Sequence, residues 1–293
     1  MALAAVLDPV TNDAAVVFYY KQEKDNINLA VNLYSLSGGA DSLFVDNNTS
    51  GSLATPSSLL AAGNFLGSIR VFGVANIPKA IDTPTDKTNV VVQTSPVLNP
   101  ISHPSDDTIQ VPAGVPLAVC KTNIDGDTTG YVCYLKTIDG ALQAVYWTIK
   151  RNDSAPSTIE QAIHKNSKLA ACAVNEQPWI FYQNPKGEVR AYNIATQSEI
   201  LVQNTDTILE GSHIAAIAAD GIIYVYFVSN KNMLRRVKYT NGGWSGAKDV
   251  STVEVTPGSA IGLVGHKRGD ETIIWHFFRN EEHIVHEQKG PSE

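Results

Sequence analysis

The sequence predicts an all-β chain: a six-bladed β-propeller formed by a single domain over residues 1–293. Three observations predict it. Apolar runs alternate or are β-branched, and none keeps a long 3.6-residue period. Gly, Asn, Asp or Pro turn chemistry flanks each run. The runs also recur every 45 to 58 residues, near the roughly 40–50 expected of a propeller blade.

Six units are expected, starting near residues 3, 59, 117, 169, 214 and 261. Each opens with a strand of small residues: LAAVL, LLAAGN, LAVCK, LAACAV, IAAIAA and IGLVGH in turn. Six innermost strands converge on one axis, where bulky side chains would collide. A β-branched and aromatic strand follows: AAVVFYY, GSIRVFGV, GYVCYLK, PWIFYQ, IIYVYFV and TIIWHFF. A third strand reads NINLAVNLY, ALQAVYW, GEVRAYNI, MLRRVKY and HIVHEQ. The second unit is left without one, because VANIPKAI carries a proline. A fourth strand is plain only as GWSGAKDV. The stretches 35–57 and 96–112, rich in Ser, Thr, Asn and Pro, read as surface loops. Ser157–His164 is the one place suited to a helical turn. Closing the sheets into a ring would remove exposed edge strands.

Composition narrows the partners. With 43% hydrophobic residues the chain can bury a large core, and a net charge of −7 lacks the basic footprint that nucleic acid requires. No apolar run approaches the roughly 20 residues of a membrane span. The opening MALAAVLDPVTNDAAVV has no basic n-region, so no secretory signal is expected and the location expected is cytoplasmic. Cys120, Cys133 and Cys172 lack metal-ligand spacing and read as reduced, buried small hydrophobes.

Several constellations imitate chemistry. Asp125 to Gly130 begins like a calcium loop, but its twelfth position is Lys136, so a hairpin turn is the reading. His283 and His286 are three apart, which on a strand puts them on opposite faces; no metal is expected. There is no Gly-x-Ser-x-Gly, no phosphate-cradling loop and no dinucleotide fingerprint, so no cofactor is expected. Asp8, Asn64, Lys121, Asn175, Asp220 and His266 end the inner strands, where polar residues serve turns.

The stretch IAAIAADGIIYVYFVSNKNMLRRVKYTNGGW resembles a blade of the fungal fucose-specific lectins, six-bladed propellers that bind fucose between blades. The resemblance implies a sugar site of three parts: an Arg on the second strand, a Glu on the third, and a stacking aromatic. Carried over unit by unit, the Arg position falls on Val16, Arg70, Tyr131, Trp179, Tyr224 and Trp275. The Glu position falls on Leu29, Ala144, Ala191, Arg236 and His286. Only Arg70 matches. A charge-assisted bond to a hydroxyl contributes about 1.5–3 kcal/mol, and micromolar to millimolar affinity totals only about 4–8 kcal/mol. Losing two such bonds removes most of the binding.

Aromatic residues stand in their place. They suit the packing of blade on blade, and they equally suit an apolar pocket with a few polar groups. On the second reading the chain is similar to fungal natural-product cyclases of the hetero-Diels–Alder type. Such a cyclase needs no cofactor: holding two partners within about 3–3.5 Å supplies on the order of 7–11 kcal/mol, and one donor on a carbonyl lowers the barrier further. The expected walls for a hydrophobic small-molecule substrate are Tyr131, Trp179, Tyr224 and Trp275, with Arg70, Arg236, His276 or His286 as the polar donor. A carbohydrate-binding lectin of altered specificity and a non-catalytic scaffold are the alternatives.

Overall fold

The structure, a computed structural model, describes residues 2–23, 26–37, 42–50, 59–65, 67–78, 87–95, 99–100, 111–112, 114–124, 127–150, 154–280 and 283–289. Among these, 21–23, 26–27, 42–50, 77–78, 87, 95, 99–100, 124, 154–155, 283 and 285–289 enter as backbone only. The described residues form six sheets and no helix.

The first sheet holds β1 (Leu3–Leu7), β2 (Ala14–Glu23), β3 (Asn26–Ser35) and β4 (Ser42–Ser50). The second holds β5 (Ala61–Phe65), β6 (Ser68–Pro78), β7 (Lys87–Ser95) and β8 (Asn99–Pro100). The third holds β9 (Leu117–Ile124), β10 (Asp127–Ile138), β11 (Ala141–Ile149) and β12 (Ser154–Ile159). The fourth holds β13 (Ala170–Val174), β14 (Gln177–Gln183), β15 (Val189–Asn193) and β16 (Ser198–Leu201). The fifth holds β17 (Ile214–Ala219), β18 (Ile222–Val228), β19 (Leu234–Thr240), β20 (Gly243–Trp244) and β21 (Lys248–Asp249). The sixth holds β22 (Gly262–Arg268), β23 (Glu271–Asn280) and β24 (His283–Lys289). Every sheet is an antiparallel meander in chain order, and all pairing stays within one sheet.

The inner strands β1, β5, β9, β13, β17 and β22 pack side by side in that order, and β22 returns to β1. The ring is therefore closed, and its closure depends on a glycine. A Cβ on Gly262 would lie 2.6 Å from Leu3 Cδ2 and 2.9 Å from the Ala5 Cβ, closer than side chains tolerate. Each sheet places a branched aliphatic residue (Leu3, Leu60, Leu117, Leu169, Ile214, Ile261) in the wall of an axial cavity of about 370 Å³; alanines, with Val119, Ile217 and Leu263 among others, complete the lining. Neighbouring sheets share cores, as where Tyr226 and Val228 of the fifth meet Ile274 and Phe278 of the sixth.

Several details differ from the sequence reading. The second sheet does have a third strand, KTNVVVQTS, with Val90, Val91 and Val92 fully buried. Part of the expected loop 35–57 is the outer strand β4, while residues 101–110 of the other loop lie outside the described residues. Ser157–Ile159 is strand, not helical turn. In agreement with the sequence reading, the stretch that imitates a calcium loop is flanked by hairpin pairing, Ile124 facing Asp127; residues 125 and 126 themselves lie outside the described residues. Of the six polar residues expected to end inner strands, three serve turns, with Asp8 Oδ1 accepting from the Val10 amide and Asn175 and Asp220 at positive φ, whereas Asn64, Lys121 and His266 lie within β5, β9 and β22. The described residues hold no helix long and apolar enough to cross a membrane, and no group of three metal-ligating side chains.

Candidate functional site

The expected site residues are spread round the ring. Tyr131, Trp179, Tyr224 and Trp275 lie on β10, β14, β18 and β23, the second strands of four sheets. Each packs at its own inter-sheet core: Tyr131 lies 6.3 Å from Tyr146, and Trp179 lies 6.4 Å from Tyr239. Trp275 packs beside Phe277. None of the four lines the axial cavity, and they do not come together as one set of pocket walls. Arg70 is half-buried on β6 opposite Gly63, three sheets away from the fifth. His286 stands opposite Phe277 in the ladder, and its side chain lies outside the described residues.

Arg236, His276 and Tyr224 do come together, at the junction of the fifth and sixth sheets. The strand period puts Tyr224 and Tyr226 on one face of β18, and cross-strand pairing sets Lys238 opposite Tyr224 and Arg236 opposite Tyr226. His276 of β23 meets this face, its ring 6.0 Å from Tyr226 and stacked on Phe278 at 5.9 Å. His276 is fully buried, so it serves the interface rather than an open cleft.

Arg236 is the unusual member. Only 3% of its surface is exposed, and its guanidinium carbon sits 5.3 Å from the centroid of the Tyr224 ring. Its Nη1 is buried without a hydrogen-bond partner. Burying an ion costs several kcal/mol even after relaxation, while a cation–π contact returns about 0.5–2 kcal/mol. Among the described residues no carboxylate pairs with it, and the Tyr226 hydroxyl stands beside it. Its neighbour in sequence has the opposite fate. Arg235, on the other face, pairs with Asp249 at 2.9 Å, and its Nη1 donates to Thr207 Oγ1 at 2.7 Å.

Beside Arg236 the outer strand is broken. Tyr239 faces Trp244, but Arg236 faces Lys248, so the outer chain carries one extra residue between β20 and β21. Such a bulge interrupts pairing and opens space. The Ser245 hydroxyl fills part of the ladder, accepting from the Lys238 amide at 3.0 Å. What remains is a cavity of about 320 Å³ lined by Arg236, Lys238, Ser245, Gly246, Ala247 and Lys248. Three of the six lining residues carry positive charge. Burial pushes the Tyr226 hydroxyl up to about 12, against the pull of nearby Arg236, and raises that of Tyr224 as well. Both phenols are therefore neutral donors near pH 7.

Sequence reasoning had singled out Arg236, but it missed Lys238, Lys248 and Gly246. Their convergence depends on the one-residue bulge, for which the segment TNGGWSGAKD offers at most its glycines as a signal.

No protein-family model matches the sequence, and no curated protein is similar to it by sequence. Solved structures are similar in fold. The lectin of Aleuria aurantia, described as a six-bladed propeller with a novel mode of fucose recognition, shares 16% identity over 98% of this chain and 90% of its own, with a TM-score of 0.70. A mutant of AofleA from Arthrobotrys oligospora, in which three arginines are replaced by alanine, shares 12% over 98% of this chain and 82% of its own, with a TM-score of 0.72. At such identities the likeness is one of architecture: this chain is a six-bladed β-propeller of the shape found in fungal lectins.

Proposed function

We propose that the chain is a carbohydrate-binding protein, a lectin of altered specificity that holds its ligand in the cavity beside the broken outer strand of the fifth sheet. The observation that carries this reading is Arg236: a nearly buried guanidinium, stacked on Tyr224 and lacking a partner for Nη1, at a cavity of about 320 Å³ that Lys238 and Lys248 also line. Such a cavity suits a hydroxylated ligand, whose oxygens take up the donors that the protein leaves over. The shared architecture with lectins that bind fucose supports the class of ligand. The specificity differs, because the positions expected to hold Arg and Glu in the fifth sheet are Tyr224 and Arg236.

A second reading, the cofactor-free cyclase acting on a hydrophobic reactive intermediate, draws on the axial cavity. Leucine, isoleucine and alanine line it, and among its lining residues only Lys121 is charged. An apolar substrate would fit such walls, but Arg70, Arg236 and His276 do not line them.

A glycan array with neutral and acidic saccharides tests the first reading. Saturable binding is expected that free fucose does not compete and that Arg236→Met weakens at least tenfold. An empty array, with a ring-shaped apolar polyene protecting the chain against thermal unfolding instead, would favour the cyclase.

A further inference from the structure

The inner strands meet the axis with their peptide edges. Each lies at the end of its sheet and pairs on one side only. Antiparallel pairing turns the amide and carbonyl of every second residue away from the partner strand, and three hydrogen bonds fix which residues those are. The Asp8 amide donates to the Ala14 carbonyl, so Leu3, Ala5 and Leu7 turn their peptide groups inward from β1. The Ile194 amide donates to the Pro178 carbonyl, so the odd residues of β14 bond to β13, and the peptide groups of Ala171 and Ala173 turn inward. The Ser229 amide donates to the Met233 carbonyl, which by the same alternation turns those of Ile214, Ala216 and Ala218 inward from β17. All of these but Leu7 line the axial cavity of about 370 Å³. Leu7 lines a second cavity, of about 430 Å³, that shares Ala5, Ile217, Ala218 and Leu263 with the first.

The side chains of these strands go sideways. Ile214 packs into the core shared with the fourth sheet, and Ala215 into the core shared with the sixth. Peptide donors and acceptors therefore wall the axis as much as aliphatic groups do. A buried peptide group without a partner costs about as much as a lost hydrogen bond, which favours a polar occupant there over an apolar one. The charge beside the axial cavity has one sign. Lys121 is the one charged residue among those lining it. Next to the aliphatic ring, Lys168 and His213 immediately precede Leu169 and Ile214. His213 is 8% exposed, and among the described residues none of these three side chains has a hydrogen bond or ion pair. The acid of the second cavity, Asp220, is held by Lys267 at 3.0 Å.

We infer that the axial cavity binds a phosphate group, and free hydrogen phosphate in preference to a phosphate monoester. Inward amides donate to its oxygens, as peptide N–H groups do in anion-binding nests. Its remaining P–OH donates to inward carbonyls, which a halide or a carboxylate cannot do. Lys121 supplies counter-charge in a narrow space, where charge of a single sign draws in anions. A monoester loses its last O–H at roughly pH 6, so it meets the carbonyls less well. This site is separate from the cavity beside Arg236 and does not rest on the carbohydrate reading.

Calorimetric titration of the full chain near neutral pH, at constant ionic strength, with sodium phosphate, methyl phosphate, sodium acetate and sodium chloride tests this. Phosphate is expected to bind at least tenfold more tightly than acetate or chloride, and more tightly than methyl phosphate. Lys121→Met is expected to weaken phosphate at least tenfold. Because Lys121 is exposed, this variant should melt with the parent when phosphate is left out, so lost binding is not lost folding. Chloride binding as tightly as phosphate would reduce the site to bare charge and overturn the phosphate. Tighter binding of methyl phosphate would keep the phosphate group and overturn its free form. Phosphate binding that Arg236→Met abolishes and Lys121→Met leaves intact would place the anion in the fifth-sheet cavity and overturn the axial site. Absence of phosphate binding would overturn the inference and leave the carbohydrate reading untouched.

Discussion

Polar side chains buried away from water decide much of this molecule's behaviour. His213, just before β17, is 8% exposed, and burial holds its imidazole down at about 3, with Lys168 adding to the effect. In the unfolded chain the same group titrates near 6.5. The folded state therefore binds fewer protons than the unfolded state between those limits, and stability falls as pH drops through that window. This one residue contributes a slope of up to about 1.4 kcal/mol per pH unit below roughly pH 6. Melting temperatures measured from pH 7 to pH 4 should fall steeply for the parent and more gently for His213→Gln. At this scale the sequence was partly legible. Two adjacent arginines on a strand must face opposite ways, but only the outer strand determines that Arg235 meets Asp249 while Arg236 meets none.

Strands differ in how plainly they announce themselves. The inner strands were readable because convergence on an axis restricts them to small residues, and the second strands because burial on both faces selects Val, Ile, Tyr and Phe. Outer strands such as SLFVDNNTS and SAPSTI escaped notice, since one edge of each meets no further strand and selects little. The strand KTNVVVQTS was hidden behind the proline of VANIPKAI and the turn residues that follow it. The candidate cleft was legible in one residue and illegible in its shape, because a bulge of one residue leaves no period behind. The inner strands also carry the most sensitive position for packing. Gly262→Ala places a Cβ against Leu3 and Ala5, and overpacking of this kind costs about 1–3 kcal/mol. Urea unfolding should show a lower midpoint with an unchanged slope.

Across the whole molecule, the ring keeps its chemistry inert along the axis. Cys120 and Cys172 line the axial cavity and Cys133 lies in the core, all three as free thiols. Burial pushes the Cys120 thiol up to about 12 and raises the other two, so none supplies thiolate at neutral pH. A disulfide reagent at pH 8 should label no cysteine in the native chain and three after denaturation. Labelling of the two channel cysteines alone would instead report that the axis opens while the sheets stay folded.

Each sheet is contiguous in the chain, and the last meets the first by packing, β22 against β1 and Phe277 against Tyr34, with no strand pairing between them among the described residues. Among the described residues no strand is lent across that joint. Order along the polypeptide is therefore separable from order around the circle: joining the old ends through a linker and cutting between any two modules should yield a permuted chain with the same topology. The joint between last and first modules is, by the same token, the natural place for the wheel to spring open.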